Sequence, residues 1–202
     1  MRTLVIIPII HTEQDMGSLL SEIKREYVSR YGLAQWDSHL NSIAEIWDGI
    51  RRMILDFDLP YASVRLFQDG LPLCGKEAEI VRDVAARGSK NHQLLAELAG
   101  RGARLMGTED PQLLLQEYQF LQGALRDMQS EEGEQRWKEQ SQRLLADRDQ
   151  FIAARINDTL LPNEIGLLFL GMAHQIEPLL SSDILVRHLL PAQAQGSSEK
   201  AN

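Results

Sequence analysis

The sequence has few cysteines, no long apolar runs and no large basic clusters, the features typical of disulfide-bonded, membrane-spanning and nucleic-acid-binding proteins. Cys74 is the only cysteine among 202 residues, so no internal disulfide can form and a reducing compartment is the simpler expectation. The longest apolar runs fall far short of the roughly 20 residues that span a bilayer. Net charge is −8 and the basic pairs are scattered among acids, which argues against a phosphate backbone as partner. We therefore expect a cytoplasmic protein with no nucleic-acid and no membrane partner.

Several common catalytic motifs are also missing. The segment around Cys74-Gly-Lys-Glu lacks the spacing of a phosphate-binding loop, and no Gly-x-Gly-x-x-Gly follows the first predicted strand. Neither His-Glu-x-x-His nor Gly-x-Ser-x-Gly occurs. The sequence thus offers no support for nucleotide binding or for a serine hydrolase.

The length and the spacing of apolar residues predict one elaborated α/β domain. We assign residues 1–191 to this domain and expect residues 192–202, which have little to bury, to form a disordered tail. Predicted strands are separated by helical segments of ten or more residues, which implies parallel pairing through crossovers. The expected fold is a mainly parallel central sheet of four or more strands with helices on both faces.

Two of the predicted strands end close to a histidine. The nearly continuous apolar run Ile165 to Gly171 is typical of a strand covered on both faces, and His174 follows it. The amino-terminal run Leu4 to Ile10 is similar and leads into His11 and Glu13. Ligands of open α/β sheets bind at the carboxyl ends of the strands, so these side chains lie where chemistry is expected.

The other two predicted strands deliver acids to the same edge. Asp69 follows one of them, and Glu109 with Asp110 follows the other, although Asp110 also has the position of a helix cap. Two histidines and two or three carboxylates on one rim suit either a divalent metal site or paired acid and base groups.

Arg148 is a further candidate because it falls inside an apolar helical stripe. At about 100° per residue the stripe also contains the residues Trp137, Leu144, Leu145, Phe151, Ile152 and Ile156. A buried guanidinium needs an anionic partner, which could be a site carboxylate such as Glu109 or Glu13, or a substrate anion. The alternative is an arginine whose head group extends to solvent.

Three short motifs resemble those of the TraB, Tiki, ChaN and erythromycin-esterase superfamily. The segment from Arg148 through Asn157, followed by the strand that ends in Gly171-Met-Ala-His174, is similar to the carboxyl-terminal signature of that group. Leu105 to Asp110 resembles its internal strand that ends in Gly-x-Glu. Pro8-Ile-Ile-His11 stands where its first Gly-x-x-His belongs, with proline in place of glycine.

The resemblance implies an α/β sandwich in which two histidines, a glutamate and an arginine meet in one cleft. Members of the group resemble metal-dependent peptidases, a macrolide-lactone esterase and a haem-associated protein, so the fold alone does not define the reaction. Pro8 takes away the close backbone approach that glycine allows, which favours a binding role over catalysis.

Three functional hypotheses follow. The first is a hydrolase of ester or amide bonds in a small-molecule or peptide substrate. Its catalytic residues would be His11, Glu13, Glu109, Arg148 and His174, with a divalent metal on His11, Glu109 and His174 or with direct acid and base chemistry. The second is a non-catalytic protein that binds a metal, haem or a small anion in the same cleft. The third is a structural or regulatory subunit that forms homo-oligomers through the apolar helix of Trp36 to Ile54.

Overall fold

The computed structural model describes residues 1–10, 20–127 and 131–189, with side chains described except at 20–23, 123–127 and 131–132. The predicted tail of residues 192–202 lies outside this part of the chain. The strands and helices follow one another as β1 (Arg2–Pro8), α1 (Leu20–Tyr31), α2 (Leu33–Asp56), β2 (Val64–Gln68), α3 (Glu77–Ala86), α4 (Lys90–Gly100), β3 (Arg104–Met106), α5 (Pro111–Asp127), α6 (Glu131–Thr159), β4 (Ile165–Leu170) and β5 (Ile184–His188). Short 3₁₀ turns precede β2 and β5, at Tyr61–Ser63 and Glu177–Leu179.

The strands form one parallel sheet in the order β3-β2-β4-β1-β5. This confirms the predicted parallel α/β fold with four or more strands. The sequence did not reveal β5, which lies at the edge of the sheet, has Ile184 as its one buried residue and lacks the continuous apolar run of β1 and β4.

Helices cover both faces of the sheet, as predicted, and each face has its own apolar core. Helices α2, α3 and α4 pack on one face, where Trp47 and Ile50 contact a layer that includes Phe169. Helix α6 packs on the other face with Ile152 and Ile156. Successive residues of β4 alternate between the two cores, so the central strand is buried from both sides.

The sequence places good start signals at two helices that flank the site. Ser89 caps α4 by accepting a hydrogen bond from the backbone N–H of His92. Asp110 accepts one from the backbone N–H of Gln112 at 2.7 Å, and Pro111 occupies the first turn of α5. Within the described residues, none of the helices has the length and apolar character needed to cross a membrane.

The order of the strands creates a crevice between β2 and β4. From the carboxyl end of β2 the chain moves outward to β3, whereas from the carboxyl end of β4 it moves in the opposite direction to β5. Neighbouring strands whose connections leave in opposite directions open a gap at the carboxyl edge, and ligands of such sheets bind there.

Candidate functional site

Three strand ends bring ionisable side chains together at this crevice. Asp69 follows β2, Glu109 follows β3 and His174 follows β4, and one ligand-type atom of each lies within 4.8 Å of the others. Glu109 is fully buried, and the His174 side chain is only 3% exposed. The cluster therefore belongs to the interior of the carboxyl edge and not to its solvated surface.

Arg148 enters the cluster from α6 and donates to carboxylates from all three of its guanidinium nitrogens. Its Nε and Nη2 donate to Glu109 at 3.2 and 2.6 Å, and Nη2 also donates to Asp69 Oδ1 at 2.6 Å. Nη1 donates to both carboxylate oxygens of Glu117 on α5 at 2.8 Å. Each of the three guanidinium nitrogens therefore donates to a carboxylate, so Arg148 positions Asp69, Glu109 and Glu117.

His174 is held between two carboxylates. Its Nδ1 lies 2.5 Å from Asp149 Oδ1, and its Nε2 lies 3.3 Å from Asp69 Oδ2. The second oxygen of Asp149 accepts a hydrogen bond from the backbone N–H of Gln175 at 2.9 Å, which fixes the carboxylate against the loop that carries the histidine. A carboxylate on Nδ1 orients the ring and selects the tautomer, and it turns Nε2 toward Asp69.

Gly171 allows Asp69 to approach the end of β4. The backbone N–H of Gly171 donates to Asp69 Oδ2 at 3.0 Å, and a Cβ added at this position would lie 2.8 Å from the same oxygen. No real side chain tolerates that distance without a shift of its neighbour. A glycine at the end of this strand is thus required by the position of the carboxylate.

The turn after β3 places Glu109 inside the protein. The backbone N–H groups of Thr108 and Glu109 both donate to the carbonyl of Leu71 at 3.0 Å, and the Glu109 carbonyl accepts from Leu73 at 2.9 Å. The backbone N–H of Gly70 donates to Glu109 Oε1 at 3.3 Å. The loop after β2 therefore supports the side chain and the main chain of Glu109 together.

The charges of Asp69 and His174 stabilise each other. Burial alone would raise the pKa of Asp69, but the hydrogen bond and charge of His174, with the charge of Arg148, hold it far below its ordinary value. Burial would lower the pKa of His174, yet Asp69 and Asp149 outweigh that effect and raise it. The imidazole consequently keeps its proton to a higher pH than an isolated histidine.

The pKa of Glu109 is shifted in the opposite direction to that of Asp69. Burial raises its pKa, the bonds from Arg148 offset this only in part, and the charge of Asp69 raises it further. Burial would lower the pKa of Arg148, but the three surrounding carboxylates raise it, so the guanidinium stays charged. The two neighbouring acids have pKa values shifted in opposite directions, an arrangement found where acid and base chemistry is performed.

A cavity of about 450 Å³ adjoins the cluster. His174 and Gly171 form part of its wall, together with residues near the carboxyl ends of β1, β4 and β5. Its size is within the range of small-molecule sites. His174 is thus one of several residues that a group bound in the cavity could contact.

The structure brings together Glu109, Arg148 and His174 among the predicted site residues. His11 and Glu13 lie outside the described residues, so their part in the site stays a prediction. Asp110 caps α5, and Asp69, which we placed on the rim without a role, contacts both Arg148 and His174.

Asp149 and Glu117 were not predicted from the sequence as site residues. Both had a detectable signal, because Asp149 falls on the same helical stripe as Ile152 and Ile156, and Glu117 falls on the half-buried face of α5 with Leu114. A carboxylate on an apolar stripe needs a partner, as Arg148 did. The partners, however, lie in distant parts of the sequence and cannot be identified from the spacing.

The donor set has the chemical character of a metal site. Asp69, Glu109 and His174 offer two carboxylates and an imidazole, which zinc, manganese or iron accept. Glu109 Oε2 and Asp69 Oδ1 each accept one hydrogen bond, from Arg148, so a second lone pair on each leaves room for a ligand bond. Asp149 on Nδ1 of His174 is also the partner that a metal-bound histidine usually has. The residues therefore fit a divalent cation.

No family model, curated protein or solved structure matches this chain.

Proposed function

We propose that the protein hydrolyses ester or amide bonds in a small-molecule or peptide substrate at His174. One observation carries the proposal: His174 is held at Nδ1 by Asp149, faces Asp69 with Nε2, and forms part of the wall of a cavity of small-molecule size. An imidazole oriented by a carboxylate is the arrangement that moves protons in acyl-transfer reactions.

In the proposed reaction His174 exchanges protons with water and with the leaving group. In the neutral form of His174, which its raised pKa shifts to higher pH, Nε2 takes a proton from the attacking water as the new carbon–oxygen bond forms. It returns the proton to the departing oxygen or nitrogen as the old bond breaks. Asp149 stabilises the imidazolium between these steps. Arg148 acts through Asp69 and Glu109, whose oxygens it holds in place.

The resemblance to the TraB, Tiki, ChaN and erythromycin-esterase superfamily is part of this proposal. The grouping of Glu109, Arg148 and His174 in one cluster supports it, since that resemblance implies a shared cleft for these three residues. We also propose a cytoplasmic location. The single cysteine, Cys74, excludes an internal disulfide, and proteins without disulfides are typical of a reducing compartment.

The direct test measures hydrolysis by the wild type and by His174→Gln. Neutral p-nitrophenyl esters and p-nitroanilides serve as substrates, with thermal unfolding as the check that the variant is folded. We expect kcat/KM to fall about 10²-fold to 10⁴-fold, the usual contribution of a general acid and base. His39→Gln, at an exposed position of α2, is the matched control and should behave like the wild type. Equal activity in His174→Gln would contradict the proposal.

A metal-assisted form of the same reaction is the second candidate, and the closeness of Asp69, Glu109 and His174 favours it. A cation on these residues would lower the pKa of its bound water and so supply hydroxide at neutral pH. Metal analysis of protein purified without chelator, and activity before and after EDTA treatment, separate the two forms. Activity that survives complete metal removal supports direct catalysis by His174.

The non-catalytic alternative is a binding protein that uses the same cluster. It predicts that Zn²⁺ or Mn²⁺ raises the unfolding temperature of the wild type, that Asp69→Asn abolishes this shift, and that no ester or anilide is turned over. Turnover that depends on His174 excludes this alternative.

A further inference from the structure

The cavity beside His174 is mainly apolar, although the cluster next to it is highly charged. Of the eleven lining residues in the described part of the chain, six are apolar, namely Ile6, Pro8, Leu170, Met172, Ile176 and Pro178. Ile6, Leu170 and Ile176 are buried and belong to the core that α6 covers. Their apolar side chains make the cavity wall an extension of that core.

Among the residues that the structure describes, one large apolar side chain of the cavity wall is exposed. Met172, between Gly171 and His174, lines the cavity and is 84% exposed. Two polar lining residues pair with each other, since His188 Nε2 lies 3.0 Å from Glu177 Oε1. An apolar ligand would cover Met172 without taking away a polar partner from either of them.

The charges of the cluster disfavour a negatively charged occupant. Four carboxylates, those of Asp69, Glu109, Glu117 and Asp149, contact only two basic side chains, Arg148 and His174, so acidic groups outnumber basic ones in the cluster. An anion brought into the cavity would meet this field at short range. A neutral group with an apolar body and a single carbonyl meets no such cost.

From these observations we infer that the cavity binds the apolar acyl chain of a neutral substrate and presents its carbonyl carbon to His174. This inference rests on the proposed hydrolase function for the reaction, but the binding of the acyl group does not depend on turnover. Linear aliphatic esters or amides are the substrate class, and the apolar cavity wall, with Met172 as its large exposed member, is the specificity-determining surface.

Binding is tested with methyl ketones, which imitate the acyl group and cannot be hydrolysed. Calorimetric titration of 2-butanone, 2-hexanone and 2-octanone into the wild type should show affinity that rises about threefold to fourfold for each added methylene, the value expected for apolar burial. Acetophenone tests an aromatic occupant, and sodium octanoate tests an anionic one. Tighter binding of either of these two than of 2-octanone would overturn the inference.

Met172 provides the matched pair of variants. Met172→Ser takes apolar surface from the wall at an exposed position, and we expect it to weaken 2-octanone binding about threefold to tenfold while Met172→Leu stays close to the wild type. Because Met172 is exposed, both variants are expected to fold, and thermal unfolding verifies this. Equal affinity in Met172→Ser and Met172→Leu would place the ketone elsewhere.

Turnover of p-nitrophenyl acetate, butyrate and octanoate distinguishes a failure of this inference from a failure of the proposed function. If the ketones bind with the expected chain-length trend and no ester is hydrolysed, the acyl site stands and the hydrolase function is wrong. If hydrolysis depends on His174 but neither ketone affinity nor kcat/KM rises with chain length, the function stands and the acyl site is wrong.

Discussion

At the scale of single residues, the site depends on how one imidazole is held. Asp149 contacts Nδ1 of His174 and the backbone N–H of Gln175, so it fixes the ring and the loop that carries it. Asp69 faces the other nitrogen and is itself fixed by Arg148 and Gly171. Both carboxylates act on the histidine, and each can be altered with little change in volume.

Asp149→Asn tests the orienting role. The amide keeps the shape of the carboxylate but loses the charge that raises the pKa of His174, so we expect that pKa to fall and kcat/KM to drop about 10²-fold. Proton NMR of the imidazole follows the first effect, and ester hydrolysis follows the second. Asp147→Asn, at an exposed position two residues earlier on α6, should change neither. An unchanged histidine in Asp149→Asn would show that the contact is incidental.

Gly171→Ala tests the close approach of Asp69 to β4. The new methyl group would stand 2.8 Å from Asp69 Oδ2, so the carboxylate must leave the Gly171 N–H, and we expect hydrolysis to fall about tenfold or more. Gly49→Ala, in the interior of α2 with open space around it, should instead stabilise the protein by about 0.5–1 kcal/mol. Full activity in Gly171→Ala would mean that Asp69 can move without consequence.

At the scale of elements, Arg148 joins α6 to three other parts of the chain. Its five hydrogen bonds reach the ends of β2 and β3 and the middle of α5, while the apolar residues of α6 pack on the sheet below. The connection is electrostatic and buried, so its loss leaves carboxylates that face one another without a cation.

Arg148→Met should destabilise the protein by about 3–5 kcal/mol at neutral pH, the cost of removing one partner from a buried charge network. Urea unfolding measures this change. Adding Glu109→Gln to the same chain should recover part of it, because one of the uncompensated acids is then neutral. Arg143→Met, an exposed neighbour on α6, should stay within about 0.5 kcal/mol of the wild type. No recovery in the double variant would mean that packing and not charge explains the loss.

The elements that could be predicted from the sequence are those whose signal lies within a few consecutive residues. The continuous apolar residues of β4, the Ser89 cap and the Asp110-Pro111 start each report a structure formed within a few residues. Strand β5 was not predicted because it lies at the edge of the sheet, where the alternation of apolar and polar residues is weak and the chain is half exposed. The pairing of Arg148 with Glu117 was not predicted for another reason. The two residues are 31 positions apart in the sequence, and the packing of α5 on α6 brings them together.

At the scale of the whole molecule, the two edges of the sheet have different ion pairs. The carboxyl edge collects Asp69, Glu109 and His174, and their placement could be predicted because parallel strands share one direction. At the amino edge, Arg65 on β2 meets Glu164, the residue before β4, in a two-bond contact of 2.8 and 2.5 Å. That pair could not be predicted, because no local sequence pattern shows which strands are neighbours in the sheet.

The amino edge should therefore control acid stability without affecting the site. Arg65 lowers the pKa of Glu164 below its ordinary value of 4.5, and the two side chains are only 10% and 13% exposed. A carboxylate with a lowered pKa contributes stability that is complete above its unfolded pKa and is lost as the pH falls through its folded pKa. We expect Glu164→Gln to cost about 1–2 kcal/mol at pH 7 and less at pH 3, where the wild type has lost the same contribution.

Urea unfolding at pH 7, 5, 4 and 3 measures this convergence, with Glu45→Gln at an exposed position of α2 as the control. The control should follow the wild type at every pH. Ester hydrolysis by folded Glu164→Gln should equal that of the wild type, because its partner lies at the edge opposite to His174. A constant difference between Glu164→Gln and the wild type from pH 7 to pH 3 would contradict the charge-based account, since a packing defect does not titrate.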